Sequence, residues 1–202
     1  MHAESLQDDG YRDRLTGLLN HAGLERKLRD LKAKIPGDFS LLMVDIDGLK
    51  AINDQHGHAA GNQLLVRAGS VMTQSVRTEL KNVEEDHRTD EDRDLDAVAV
   101  RIHGDEFAIV LPKVNSLEAL VIIRDRIERN LQAAGISASV DGRVHGAGEP
   151  IETLLDDADL LMLWRKKRRG TDRFNALPRH KRLAALVGAK LLQYAGVNPP
   201  RQ

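Results

Sequence analysis

Two short apolar runs, residues 97–102 (AVAVRI) and 106–111 (EFAIVL), are separated only by His103, Gly104 and Asp105. Strand-length apolar runs joined by a short, glycine-containing link read as a β-hairpin. A hairpin puts an antiparallel pair in the middle of the chain, so a doubly wound parallel sheet, which needs a crossover between all its strands, is excluded. Around the hairpin, strand and helix signals alternate. Residues 22–34 read as a helix with Leu24, Leu28 and Leu31 on one face, ended by Pro36-Gly37-Asp38. Residues 40–47 (SLLMVDID) are a continuous apolar run ending in acids, which favours a buried strand. Residues 48–61 read as irregular or short-helical, and 62–81 as a strong helix burying Leu64, Leu65, Ala68, Val71, Met72 and Val76. The charged stretch 82–96 reads as a solvated loop. An amphipathic helix over 117–131, a strand over 137–144 and a helix over 151–169 follow, then a last short strand at Arg173-Phe174. Leu183, Leu186, Val187, Leu191 and Tyr194 mark a basic amphipathic tail helix. The β-α-β-β-α-β order predicts an α+β fold: a ferredoxin-like, palm-type, antiparallel-containing sheet flanked by helices.

With 202 residues and no internal repeat, the chain fits one domain. The reading divides it into a leader (1–12), a central domain (13–176) and a basic C-terminal helix and tail (177–202). Only 3% of residues are aromatic and the net charge is -1. Those values argue against a stacking platform for single-stranded nucleic acid and against global attraction to phosphate polymers or membranes. There is no cysteine, hence no disulfide framework or thiolate metal site. No run of about 18 apolar residues suggests a transmembrane helix, and the polar start does not resemble a signal peptide. A cytoplasmic location is expected, with little room for a sensor domain ahead of residue 13.

The chemistry concentrates in acids. Asp45 and Asp47 end an apolar strand and alternate onto one face, where oxygen ligands would suit a hard cation such as Mg2+. Asp105 and Glu106 sit at the glycine-containing tip, where burial without a metal or basic partner is costly. Taken singly, these read as a solvated strand end and a polar turn. In a palm-type fold the first strand lies beside the hairpin, and Asp45, Asp105 and Glu106 would converge on one or two divalent ions that activate a hydroxyl and clamp a phosphate. Asp47 would be an outer or solvent-facing group.

Five segments, in order, resemble the motifs of GGDEF domains, the diguanylate cyclase family. They are Asp13-Arg14-Leu15-Thr16-Gly17-Leu18-Leu19-Asn20 (DxLTGLxN), residues 45–54 DIDGLKAIND (DxDxFKxxND), and Gly57-His58-Ala59-Ala60-Gly61 (GHxxG). Arg101-Ile102-His103-Gly104-Asp105-Glu106-Phe107 (RxGGDEF) and Ala158-Asp159 followed by Lys166 or Lys167 complete the set. The resemblance spans about residues 13–175, and the ordered set is far more specific than any one member. It implies condensation of two GTP molecules into cyclic di-GMP with release of pyrophosphate. Two domains meet face to face, each holding one GTP, so a homodimer is implied. It implies Mg2+ or Mn2+ held by Asp45, Asp105, Glu106 and the Ile46 carbonyl. Asp105, Glu106 and Lys50 would be catalytic. Leu49, Lys50, Asn53, His58, Asn62, His103 and Gly104 would contact substrate, with Asn53 on the guanine edge. Lys166 or Lys167 would hold the γ-phosphate. The same basic cluster also suits a solvated helix C-terminus.

The sequence departs from the family pattern in places. His103 replaces the first glycine of the signature; it would obstruct the nucleotide, add a phosphate contact or point to solvent. Asn62 stands where the family has aspartate, and an amide offers guanine's N–H donors one acceptor in place of two; it is also a candidate helix cap. The RxxD product-inhibition motif is absent, with Asp94 and Ala97 at its positions. Asp141 follows Val140 where a glycine is usual, and His21 replaces a common arginine. These departures keep two alternatives open: a degenerate domain that binds GTP or a protein partner without turnover, and a cyclase of altered base specificity.

Overall fold

The computed structural model describes residues 9–37, 39–77 and 95–168. The expected strand at 173–174, the tail helix and most of the charged loop lie outside the described residues. Helix α1 (His21–Lys34) starts at Asn20, whose side chain accepts the Gly23 N–H at 3.0 Å. Strand β1 (Phe39–Ile46) leads into α2 (Leu49–His56) and α3 (His58–Arg77). The hairpin is β2 (Val98–His103) and β3 (Glu106–Pro112). Helix α4 (Leu117–Ala133), capped by Ser116, strand β4 (Ala138–Val144) and α5 (Ile151–Arg168) complete the described order.

The four strands form one sheet in the order β2-β3-β1-β4, antiparallel at all three pairings. This is the expected α+β layout, with the hairpin beside β1. Every residue of β1 is buried because both faces of the sheet are covered. Leu42, Val44 and Ile46 pack with residues of α3 and α4, including Leu65, Met72, Ile123 and Ile127. Phe39, Leu41 and Met43 pack with α1 and α5 through Leu24, Leu28, Leu154 and Ala158. A strand alternates its side chains, so a strand covered on both faces is apolar throughout.

The region read as irregular or short-helical, 48–61, is helical on both sides of one break. Gly57 adopts φ +81°, which an L side chain rarely does, and so separates α2 from α3. The Ala60 N–H already donates to the Gly57 carbonyl at 3.1 Å. Helix α3 therefore begins at His58, and Asn62 lies inside it, exposed, rather than capping its start.

Candidate functional site

The register places Asp45 directly opposite Glu106 in the β1–β3 pair. Directly opposed residues share a face of the sheet, so these two carboxylates lie on one face at one end of it. Asp45 is 1% exposed. The Ile46 N–H donates to the Asp105 carbonyl at 3.0 Å, fastening the end of β1 to the hairpin tip. Asp47 lies one residue past β1. Its N–H donates to the Ser137 carbonyl at 2.9 Å and its Oδ2 accepts the Ser137 hydroxyl at 2.8 Å. Asp47 is thus bound to the entry of β4.

The hairpin turn is Gly104-Asp105 alone. Gly104 has φ +55° and Asp105 lies outside the positive-φ set, the sign pattern of a type II′ turn, which closes antiparallel strands tightly. A Cβ at Gly104 would meet nothing within 4 Å, so conformation rather than space calls for glycine here. His103, the last residue of β2, takes no left-handed conformation. Its side chain is 72% exposed, and Nε2 lies 3.0 Å from Glu106 Oε2. It faces solvent while engaging an acid of the site.

Arg101 holds this turn from behind. Its Nε and Nη2 donate to the Gly104 carbonyl at 3.1 and 2.8 Å, and Nη1 donates to both Asp13 carboxylate oxygens at 3.1 Å. Asp13 Oδ1 also accepts the Thr16 N–H at 2.8 Å and hydroxyl at 2.7 Å. Burial pushes the Asp13 carboxyl up, but the hydrogen bonds from Thr16 and Arg101 and the guanidinium charge outweigh it. The net effect holds Asp13 below its ordinary value of 3.8. Asp13 and Arg101 each lie within a family-like motif, and the resemblance assigns neither a task. Their opposite charges were the available signal; their separation along the chain concealed the contact.

Lys50 is exposed and Leu49 half-buried in the first turn of α2, immediately after β1. Asn53, half-buried in α2, packs its side-chain oxygen against Gly61 of α3, where any Cβ would collide with it. Asn62 and His58 are exposed on α3. Lys166 and Lys167 belong to α5, and their side chains lie outside the described residues, as does Asp94. Helix α5 rises about 1.5 Å per residue and is long enough to run the length of β1, against which it packs. Asp141 is engaged by Arg124 Nη1 of α4 at 3.6 Å, so that departure supplies an ion pair between a helix and the sheet.

Asp45, Asp105 and Glu106 offer carboxylate oxygens at the hairpin end, which suit a hard divalent cation. Among the described residues no group of three His, Cys, Asp or Glu side chains could hold a metal ion alone. Mg2+ is commonly bound through one or two carboxylates plus substrate phosphates. The Asp45–Glu106 pair fits that chemistry, since the two carboxylate-bearing positions stand opposite each other on one face of the sheet.

The sequence profile described as "Diguanylate cyclase, GGDEF domain" matches residues 10–84. The chain is 34% identical over 155 residues to the probable diguanylate cyclase DgcE of Escherichia coli, covering 72% of this chain and 12% of that protein. It is 32% identical over 204 residues to the diguanylate cyclase TpbB of Pseudomonas aeruginosa, covering 94% of this chain and 41% of that one. The chain therefore spans well under half the length of these relatives. A solved structure of the TpbB GGDEF domain from Pseudomonas aeruginosa superposes with a TM-score of 0.57 at 27% identity, covering 78% of this chain and 89% of that one. Among the described residues no helix is long and apolar enough to cross a membrane.

Proposed function

The chain belongs to the GGDEF domain family, and on that premise we propose that it is a metal-dependent diguanylate cyclase acting in the cytoplasm as a homodimer. The observation that carries this reading is the opposed Asp45–Glu106 carboxylate pair, locked beside Asp105 at the hairpin end of the sheet. Each domain binds one GTP. The 3′-oxygen of one nucleotide forms a bond to the α-phosphorus of the other as the bond to the β-phosphate oxygen breaks and pyrophosphate leaves; the second nucleotide repeats the step.

Asp45, Asp105, Glu106 and the Ile46 carbonyl would hold Mg2+ or Mn2+, which supplies charge neutralisation on the phosphates and acidifies the attacking hydroxyl. Lys50 and the N–H groups at the start of α2 bind phosphate oxygens at a helix N-terminus. Lys166 or Lys167 completes the γ-phosphate contact. Asn53 and Asn62 read the base, with Asn62 weakening the preference for guanine, and Glu106 takes the hydroxyl proton or ligates the ion. Most of the rate enhancement then comes from positioning and preorganised charge.

The second reading, nucleotide binding without turnover, draws on the His103–Glu106 contact, which occupies one oxygen of the acid assigned to chemistry. Incubating the protein with Mg2+ and each nucleoside triphosphate, singly and in pairs, and chromatographing the products separates the two. Cyclic di-GMP from GTP supports the cyclase; a mixed product from two triphosphates supports altered base choice. Bound but unchanged GTP leaves the second reading standing.

A further inference from the structure

The β2–β3 ladder is out of step next to the active end. Arg101 pairs with Phe107, but the next pair is His103 with Glu106, so Ile102 is an extra residue on β2. Without this bulge Ile102 would stand opposite Glu106. Bulges re-aim side chains beside active sites, and this one places an imidazole across from the carboxylate. The turn between the pair is fixed from behind by the Arg101–Gly104 carbonyl contacts, themselves anchored on Asp13.

We propose that His103 is a positioning residue for Glu106. Its exposed imidazole, with Nε2 3.0 Å away, engages Oε2 and leaves Oε1 to a divalent ion. Outer hydrogen-bond partners of ligating carboxylates fix their orientation and so raise metal affinity. The pair is too exposed to contribute much to folding, since surface ion pairs are screened and flexible. Its effect falls on the site rather than on the fold, and the histidine at the first signature position becomes a working part of the site. The inference rests on the cyclase reading above, in which Glu106 faces the metal.

Mn2+ binding, followed by electron paramagnetic resonance with the unreactive α,β-methylene analogue of GTP, tests this without requiring turnover. The variants are His103→Gly, His103→Gln and, as a control on the site itself, Glu106→Gln. His103→Gly is expected to weaken Mn2+ binding about three- to tenfold, below the 10–100-fold range of enclosed outer-shell partners because the pair is exposed. His103→Gln, whose terminal N–H reaches as far as Nε2, is expected to restore most of the affinity, and both His103 variants should melt with the wild type. Unchanged or tighter Mn2+ binding in His103→Gly overturns the proposal, and so does a glutamine variant as weak as the glycine one. If Glu106→Gln binds Mn2+ like the wild type, the assignment of Glu106 to the metal falls and this proposal with it. If Glu106→Gln weakens binding and His103→Gly does not, the role of His103 alone is lost.

Discussion

The two ends of the sheet both carry charged clusters, and they are assembled differently. At the end where β4 meets the start of β1, Arg143 pairs with Glu149 at 3.0 Å and with Asp157, residues 6 and 14 places along the chain. Glu149 also accepts the Gly146 N–H at 2.9 Å, and its carbonyl lies 3.1 Å from His145 Nε2, whose ring stacks on Phe39 with centroids 4.3 Å apart. One base sits between two acids, all within residues 143–157, where β4 passes into α5. At the hairpin end the groups come from far apart: Asp13 meets Arg101 across 88 residues, and Asp45 faces Glu106. There, Asp45 stands opposite Glu106 and the Asp105 carbonyl is bound to the end of β1, while Arg101 is directed onto Asp13 and the Gly104 carbonyl. A cluster of paired charges built from neighbours serves the fold. A cluster convergent from distant segments exists only once the whole sheet is formed, and it is where the proposed cation-dependent reaction is placed.

Substitutions can break this contrast. Asp45→Asn should lower cyclic dinucleotide formation from GTP by about a hundredfold or more, since it removes a carboxylate proposed to hold the cation that offsets charge developing at phosphate. A rate equal to wild type by product chromatography would move the chemistry elsewhere. Arg143→Met at the opposite end should cost about 1–3 kcal/mol in urea unfolding, because it leaves part-buried acids without their base, and should leave turnover intact below the unfolding transition. Arg101→Leu should do both in smaller measure: about 1–2 kcal/mol of stability and a several-fold slower rate as the turn loosens. A stability loss with no change in rate would show that the turn keeps its shape without the anchor.

The smallest effect sharpens the picture of that anchor. Asp13 has its folded value depressed below 3.8, so its stabilising contribution is fully present above pH 3.8 and is lost as pH falls through the lower folded value. The difference in urea midpoint between wild type and Asp13→Ala should hold steady near neutrality and narrow in acid below that point. A difference that stays constant throughout would detach the effect from the carboxylate's charge.

Much of this was legible in the sequence because β1 and the hairpin carry strong patterns. An eight-residue apolar strand covered on both faces leaves a continuous apolar run, and Gly104 marks the turn. The opposition of Asp45 and Glu106 followed once those strands were placed side by side. The start of α3 was hidden because Gly57 is a backbone break whose sign a sequence does not display, and Asn62 resembled a cap only while that break was missed. The Asp13–Arg101 clasp was hidden because ion-pair partners this remote leave no periodicity. The contact of His103 was hidden by the bulge at Ile102, which shifts register by one residue and reverses which side chain faces Glu106.

The most direct test is to follow pyrophosphate and cyclic dinucleotide together from GTP and Mg2+, in wild type, Asp105→Asn and Arg143→Met side by side. The account predicts cyclic di-GMP with two pyrophosphates per product in wild type and Arg143→Met, and neither product in Asp105→Asn. Equal yields from wild type and Asp105→Asn, or no cyclic product from a folded wild type, would contradict it.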